Sequence, residues 1–118
     1  MVVSTLRYCQ NARNGLIKGG DVDDQRIAAT ARVLGHAMRV AIIRDIPAWD
    51  GDGMSAVRLA ARLDEELGTV AYHMRVAERH GALILVGTRQ VRGASEHFYG
   101  PGPEAGFLVG VVEAWTAI

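Results

Sequence analysis

Three polar side chains, those of Tyr72, Arg75 and Arg79, recur at spacings of three and four residues in a segment of helical period. At ~100° per residue they lie nearly opposite the apolar positions Val70 and Met74, so a helix would present them to solvent. A phenol and two guanidinium groups bind by hydrogen bonds and charge, and a planar guanidinium matches a guanine edge or a phosphate. The chemistry expected here is recognition of nucleic acid.

A second polar group follows directly along the chain. Leu83–Val86 and Glu96–Tyr99 are β-prone runs that can pair as a hairpin, with the seven residues Thr88–Ala94 as the loop between them. That loop carries Arg89, Gln90 and Arg92. A helix followed by a basic hairpin can contact a duplex at two places, the helix in the major groove and the hairpin on the flanking phosphates.

Catalytic and metal-binding chemistry is not expected. Glu96 and His97 are neighbours in a strand, so they point to opposite faces and form no acid–base pair there. The sequence has no nucleophile–base motif or Gly-rich phosphate loop, and Cys9 is its one cysteine. His73 and His80 lie two helical turns apart, ~10 Å, which is too far to share an ion. We expect no enzyme activity, no cofactor and no metal.

The N-terminal part of the chain predicts helices with one interruption. Residues 4–18 have a weak helical period, and Gly19–Asp21 reads as a break. Asp23 or Asp24 can then cap a helix that ends at Gly35.

Three further helices would position the polar face. His36 can cap the first of them, which must end at Pro47 because proline cannot continue a helix. Ser55 can cap the next. Asp64–Gly68 reads as a turn. The third helix, which bears the polar face, begins after this turn and is ended by Gly81.

Five segments of the sequence, taken in order, resemble the ArsR-type winged helix-turn-helix regulators over roughly Ala31 to Gly100. The segments are Gly35–Arg39 (GHAMR), Leu59–Ala60 (LA), Val70–Arg75 (VAYHMR), Gly81 and Arg92–Tyr99 (RGASEHFY). The resemblance implies a mainly α fold with a small β-hairpin, in which a helical core carries a two-stranded wing. The expected contacts to double-stranded DNA are Thr69, Tyr72, His73, Arg75, Arg79, Arg89, Gln90 and Arg92.

Within this set, Thr69 and Tyr72 lie at the N-terminal end of the helix, where helix-turn-helix proteins place base-reading side chains, while Arg75 is better placed for a phosphate. The sequence departs from the family at Ala71, where a small polar residue is common. It also carries an acidic turn, Asp64–Glu66, whose carboxylates would repel phosphates unless they cap the following helix.

Apolar stripes bracket the winged segment, within Leu6–Ile17 and Phe107–Ile118. ArsR-type proteins use terminal helices as dimer contacts, so we divide the chain into an N-terminal segment (1–30), a DNA-binding domain (31–100) and a C-terminal segment (101–118). The alternative is that the stripes pack into the core of one subunit. The expected dimer contacts are Leu6, Leu16, Leu108, Val111 and Trp115.

Composition fits this interpretation. The chain has 118 residues, of which 49% are hydrophobic and 22% charged, as in an ordinary globular domain. The net charge is zero, but four arginines and one glutamate lie between Thr69 and Arg92. No apolar run approaches the ~20 residues of a membrane span, the start lacks a signal-peptide pattern, and one cysteine suits a reducing compartment, so we expect a cytoplasmic location.

The function expected from the sequence is sequence-specific binding of double-stranded DNA by a homodimer that regulates transcription, by repression through promoter occlusion. A winged helix serving a protein partner is one alternative, supported by the zero net charge and the acidic turn. A small DNA-architecture factor with little sequence preference is another. The plainest alternative is a solvated helix face and a mobile loop that contact nothing.

Overall fold

The computed structural model describes residues 18–117, and the side chains of residues 24–117. The chain divides into two compact units, Met1–Arg32 and Val33–Ile118. The described part of the first unit is helical, as residues 18–32 of helix α1 (Lys18–Leu34). The expectations for Leu6, Cys9 and Leu16 lie outside the described residues.

The predicted break at Gly19–Asp21 is wrong, because these residues lie within α1. The predicted cap at Asp23 or Asp24 is wrong for the same reason, because both residues lie inside α1. A glycine costs a helix only ~1 kcal/mol relative to alanine, so a pair of them weakens a turn without preventing it.

The second unit contains four helices: α2 (Ala37–Asp45), α3 (Ala56–Leu63), α4 (Leu67–Arg79) and α5 (Ala105–Thr116). A short 3₁₀ turn at Ile46–Ala48 contains Pro47 and ends α2 where predicted. The predicted caps of α2 and α3 are confirmed, since His36 Nδ1 accepts the Met38 N–H at 3.0 Å and Ser55 Oγ accepts the Arg58 N–H at 3.3 Å.

A short polar network holds α2 to α3. Arg62 donates to both oxygens of Asp45, at 2.8 and 3.0 Å, and the Trp49 indole N–H donates to the same carboxylate at 2.8 Å. Partial burial raises the pKa of Asp45, but hydrogen bonds from Arg62 and Trp49 outweigh it and hold that pKa below its usual value. Helix α3 is thus held in place by an ion pair as well as by packing.

Three antiparallel strands lie beside the helices in the order β1 (Met54–Ser55), β3 (Ala94–Pro101), β2 (Leu83–Val91). The two long strands are the predicted hairpin, but each is longer than expected. Their turn is only Arg92 and Gly93, both at positive φ (52° and 82°), as in a two-residue type I′ hairpin. The predicted seven-residue loop is therefore wrong, since Thr88–Val91 continues the strand.

The core of the second unit is built from all of these elements. Its fully buried side chains include Ile42 and Ile43 of α2, Leu59 of α3, Met74 of α4 and Leu108 of α5. No helix in the described part of the chain combines the length and apolar character that a membrane span requires.

Helix α5 belongs to this core. Ala105, Leu108 and Val112 are buried, and α5 packs against α2. Leu108 is only 2% exposed, so its side chain packs inside its own subunit, as the alternative to a dimer contact predicts. The core therefore contains side chains from the predicted DNA-binding domain (31–100) and also from the C-terminal segment (101–118). Val111 is half-buried and Trp115, at the far end, is 74% exposed.

Candidate nucleic-acid interface

Helix α4 has one buried face and one exposed face, as predicted. Val70, Met74 and Ala77 are fully buried. Tyr72 is 51% exposed, and Arg75 and Arg79 are exposed beside it. The side chains with hydrogen-bonding and charged ends are therefore available to a ligand.

The N-terminal turn of α4 is capped by a carboxylate. Glu66 Oε1 accepts the Thr69 N–H at 3.1 Å and the Thr69 hydroxyl at 3.0 Å. The helix begins at Leu67, two residues earlier than predicted, so Thr69 lies inside the cap and is half-buried. Glu66 thus caps α4, which gives one of the three acidic residues of the turn a structural role. A base contact by Thr69 would have to exchange this hydrogen bond for another.

The exposed face continues past Arg75 toward the start of the helix. Ala71 and Leu67 precede Arg75 by four and eight residues, so the three form one stripe. Leu67 is 47% exposed, and Val57 on the neighbouring helix α3 is 55% exposed. Leu67 and Val57 were not among the residues predicted from the sequence, although the four-residue spacing from Arg75 through Ala71 identifies Leu67.

His73 differs from the other predicted contacts, because its side chain is only 6% exposed. Its ring packs on that of His36, with centroids 4.2 Å apart, and its Nδ1 lies 2.8 Å from Arg39 Nη1. A guanidinium only donates, so Nδ1 accepts and the ring proton lies on Nε2. The sequence led us to expect His73 among the DNA contacts, but in the structure neighbours from outside α4 cover its ring.

The buried position of His73 predicts a pH-dependent stability. Burial lowers the pKa of His73 from its ordinary 6.5, and the nearby His36 and Arg39 lower it further. The unfolded chain therefore takes up a proton on this ring at a higher pH than the folded chain does. The contribution of neutral, buried His73 to the free energy of unfolding should therefore be complete above pH ~6.5. It should be lost as the pH drops below that value.

Urea titrations between pH 8 and pH 5 measure this effect. His73→Gln, whose amide oxygen can still accept from Arg39, should flatten the decline below pH 6.5. An equally steep decline in the variant would mean that other groups cause it.

The wing carries its polar residues on paired strands. Arg89 Nη2 and Glu96 Oε1 form an ion pair at 2.8 Å across the hairpin, and Gln90 Nε2 donates to Ser95 Oγ at 2.9 Å. Arg92 is exposed in the turn. The two predicted loop residues Arg89 and Gln90 thus already have partners, whereas Arg92 projects from the tip.

The wing is joined to helix α3 at its base. Ser55, fully buried, and Arg89 both hydrogen-bond to Glu96, and they hold the pKa of that carboxyl below its usual range. The guanidinium carbons of Arg58 and Arg89 lie 5.1 and 5.6 Å from the centre of the Phe98 ring. These contacts set the position of the hairpin relative to α3.

Helices α3 and α4 and strand β3 together line a groove of about 280 Å³. Val57, Leu67 and Ala71 form part of its apolar surface, and Arg75 and His97 add polar groups. One concave surface therefore joins the exposed face of α4 to the wing.

Metal-ligating side chains are not clustered in this region. Among the described side chains, those of residues 24–117, no group of three or more His, Cys, Asp and Glu could hold an ion. His36 and His73 are neighbours, but the Nδ1 atoms of both accept hydrogen bonds. The expectation that no metal or cofactor is needed stays a prediction.

Comparison with known proteins agrees with this geometry. Residues 34–86 match a family model described as a helix-turn-helix domain, which covers α2, α3, α4 and the start of β2. The search of curated proteins gives no match.

Two solved structures, of HlyU and of reduced HlyU from Vibrio cholerae, superpose on the chain with TM-scores of 0.57 and 0.58 at 15% sequence identity. The matches cover 80% and 82% of this chain and 92% of each HlyU chain. The superposition supports a shared fold, and an identity this low does not extend to function. Three features then agree: the helix-turn-helix match, the helices α2 to α4, and the hairpin that follows them. The chain therefore has the winged helix-turn-helix fold.

Proposed function

We propose that this protein is a sequence-specific double-stranded DNA-binding regulator of transcription, of the ArsR type, that acts as a homodimer in the cytoplasm. Binding needs no bond-making chemistry. Arginines would supply a salt-dependent attraction to phosphates, and the N-terminal half of α4 would supply preference among bases. Repression by occupying a promoter is the simplest output of such a protein.

The observation that carries the proposal is the shared exposure of Tyr72, Arg75 and Arg79 on one face of α4. An α-helix fits the major groove, and the second helix of a helix-turn-helix pair is the one that enters it. The wing, anchored to α3 through Ser55 and Glu96, extends the same basic surface to Arg92. The matched helix-turn-helix domain includes this helix.

Selection of bound fragments from a random duplex pool tests the proposal. A regulator should enrich a motif with two-fold symmetry, in half-sites about one helical turn, ~34 Å, apart. Enrichment without a motif would indicate an architecture factor, and absence of DNA binding would contradict the proposal.

A protein-interaction module is the second candidate, supported by the acidic turn Asp64–Glu66 and the zero net charge. It predicts little salt-dependent affinity for any duplex. The capping role of Glu66 weakens this candidate, because that carboxylate is directed at the backbone of its own helix.

The salt dependence of DNA affinity tests the proposed contact between the wing and phosphate. Arg92→Ala should weaken binding to all duplexes alike and make the slope of log affinity against log salt shallower by about one, since one phosphate contact is lost. Arg89→Ala should change the slope less, because Glu96 already neutralises that guanidinium. A slope unchanged by Arg92→Ala would show that the wing tip does not contact phosphate.

A further inference from the structure

The N-terminal half of the exposed face of α4 offers little that can form a hydrogen bond with a base. Thr69 is half-buried and its hydroxyl donates to Glu66. The exposed positions before Arg75 are Leu67, Gly68 and Tyr72, and Ala71 is half-buried beside them. Three of these four have no polar side-chain atom, so this part of the helix is suited to apolar contact.

Val57 extends the same apolar surface onto helix α3. It is 55% exposed and lines the groove together with Leu67 and Ala71. Arg75 lines the groove as well, and Arg58 follows Val57 on α3. The apolar patch formed by Val57, Leu67 and Ala71 thus has the positive charge of Arg75 beside it, while the Glu96 carboxylate in the same groove is paired with Arg89. The charge of Arg75 is complementary to the phosphate rows that border a major groove.

The major groove of DNA presents one apolar group among its base edges, the C5-methyl of thymine. Removing a methyl group from water against side chains such as Leu67 favours binding by about fourfold per group. A protein that reads bases through apolar side chains therefore discriminates thymine from the other bases.

Resting on the proposed DNA-binding function, we propose that the apolar patch reads the C5-methyl groups of thymine, and that each half-site contains thymine facing the start of α4. Ala71 is central to this assignment. A small polar residue there would favour a hydrogen bond to a base edge, whereas alanine leaves room for a methyl group.

Deoxyuridine supplies the test, because it differs from thymidine only by the missing methyl. Each thymine of the selected site is replaced in turn, and affinity is measured by fluorescence anisotropy at fixed salt. We expect about fourfold weaker binding at one or more positions per half-site and no change at thymines outside it.

Variants then assign the effect to the patch. Leu67→Ala and Val57→Ala replace exposed side chains, so the fold should persist, and the uracil penalty should shrink in one or both. Tyr72→Phe, which keeps the ring and removes the hydroxyl, is the matched control and should leave the penalty unchanged.

The outcomes separate this inference from the function on which it rests. Tight, salt-dependent binding with no uracil penalty anywhere would overturn methyl reading and leave the regulator standing. A penalty unchanged by both alanine variants would assign the methyl contact to other residues and also overturn the inference. Failure to bind any duplex would remove both.

Discussion

Replacing Leu108 by alanine should lower the free energy of unfolding by ~2–5 kcal/mol, the range found when a buried leucine is truncated to alanine. The side chain is 2% exposed and packs with α2 residues in the core of the second unit. A loss of this size is a large part of the ~5–15 kcal/mol that stabilises a typical domain. Urea denaturation followed by circular dichroism measures it.

Trp115→Ala is the matched control on the same helix. Its side chain is 74% exposed, so the subunit should lose little stability of its own. If Trp115 is a dimer contact, the variant should be monomeric by light scattering at concentrations where the parent is dimeric. Its stability loss should then grow with protein concentration, whereas that of Leu108→Ala should not.

Two results would contradict the assignment of Leu108 to the core and of Trp115 to a dimer contact. An unchanged unfolding free energy in Leu108→Ala would remove the helix from the core. A monomeric parent protein at tens of micromolar would remove the dimer. Deleting Phe107–Ile118 is a poor test of assembly, because it would also open the core where Leu108 and Val112 lie.

Arg75→Ala should weaken binding to the selected duplex by ~1–3 kcal/mol, or ~5–150-fold. The guanidinium is exposed at the middle of the α4 face and borders the groove shared with the wing. Loss of either a bidentate base contact or a phosphate contact gives an effect of this order. The two differ in specificity, since only a base contact changes the preferred sequence when it is removed.

Arg44→Ala controls for the loss of one positive charge. Arg44 is exposed in the last turn of α2, outside the α4 face. Its variant should bind within a few-fold of the parent at physiological salt. Equal losses in the two variants would mean that only total charge matters, and full affinity in Arg75→Ala would remove α4 from the interface.

Local signals in the sequence predicted the framework well. The capping side chains of His36 and Ser55, the positive φ of Gly81 and the buried stripe of Val70 and Met74 all depend on residues within a few positions of one another. Helical period and capping are local properties, so the sequence contains them. Strand β1 has only two residues and no period to detect.

Features that depend on distant neighbours were not predictable in this way. His73 is covered by His36 and by Arg39, which lies 34 positions away in the chain. The apolar period of α5 predicted that Leu108 is buried, but a period does not say which surface buries it. The wing is longer than predicted because pairing with β3 keeps Thr88–Val91 extended.

Arg92 adopts a φ of 52° in the wing turn, a conformation that glycine and asparagine tolerate and that costs most other side chains ~1–2 kcal/mol. Folding alone would favour asparagine here, next to Gly93. Electrostatics favours arginine, because the turn is the end of the hairpin and Arg92 is the exposed, charged residue in it. At this position a tight turn favours asparagine and a charge at the end of the hairpin favours arginine. The chain has arginine. Under the proposed function, a substitution that stabilises the wing turn would therefore weaken the attraction of the protein to a polyanion.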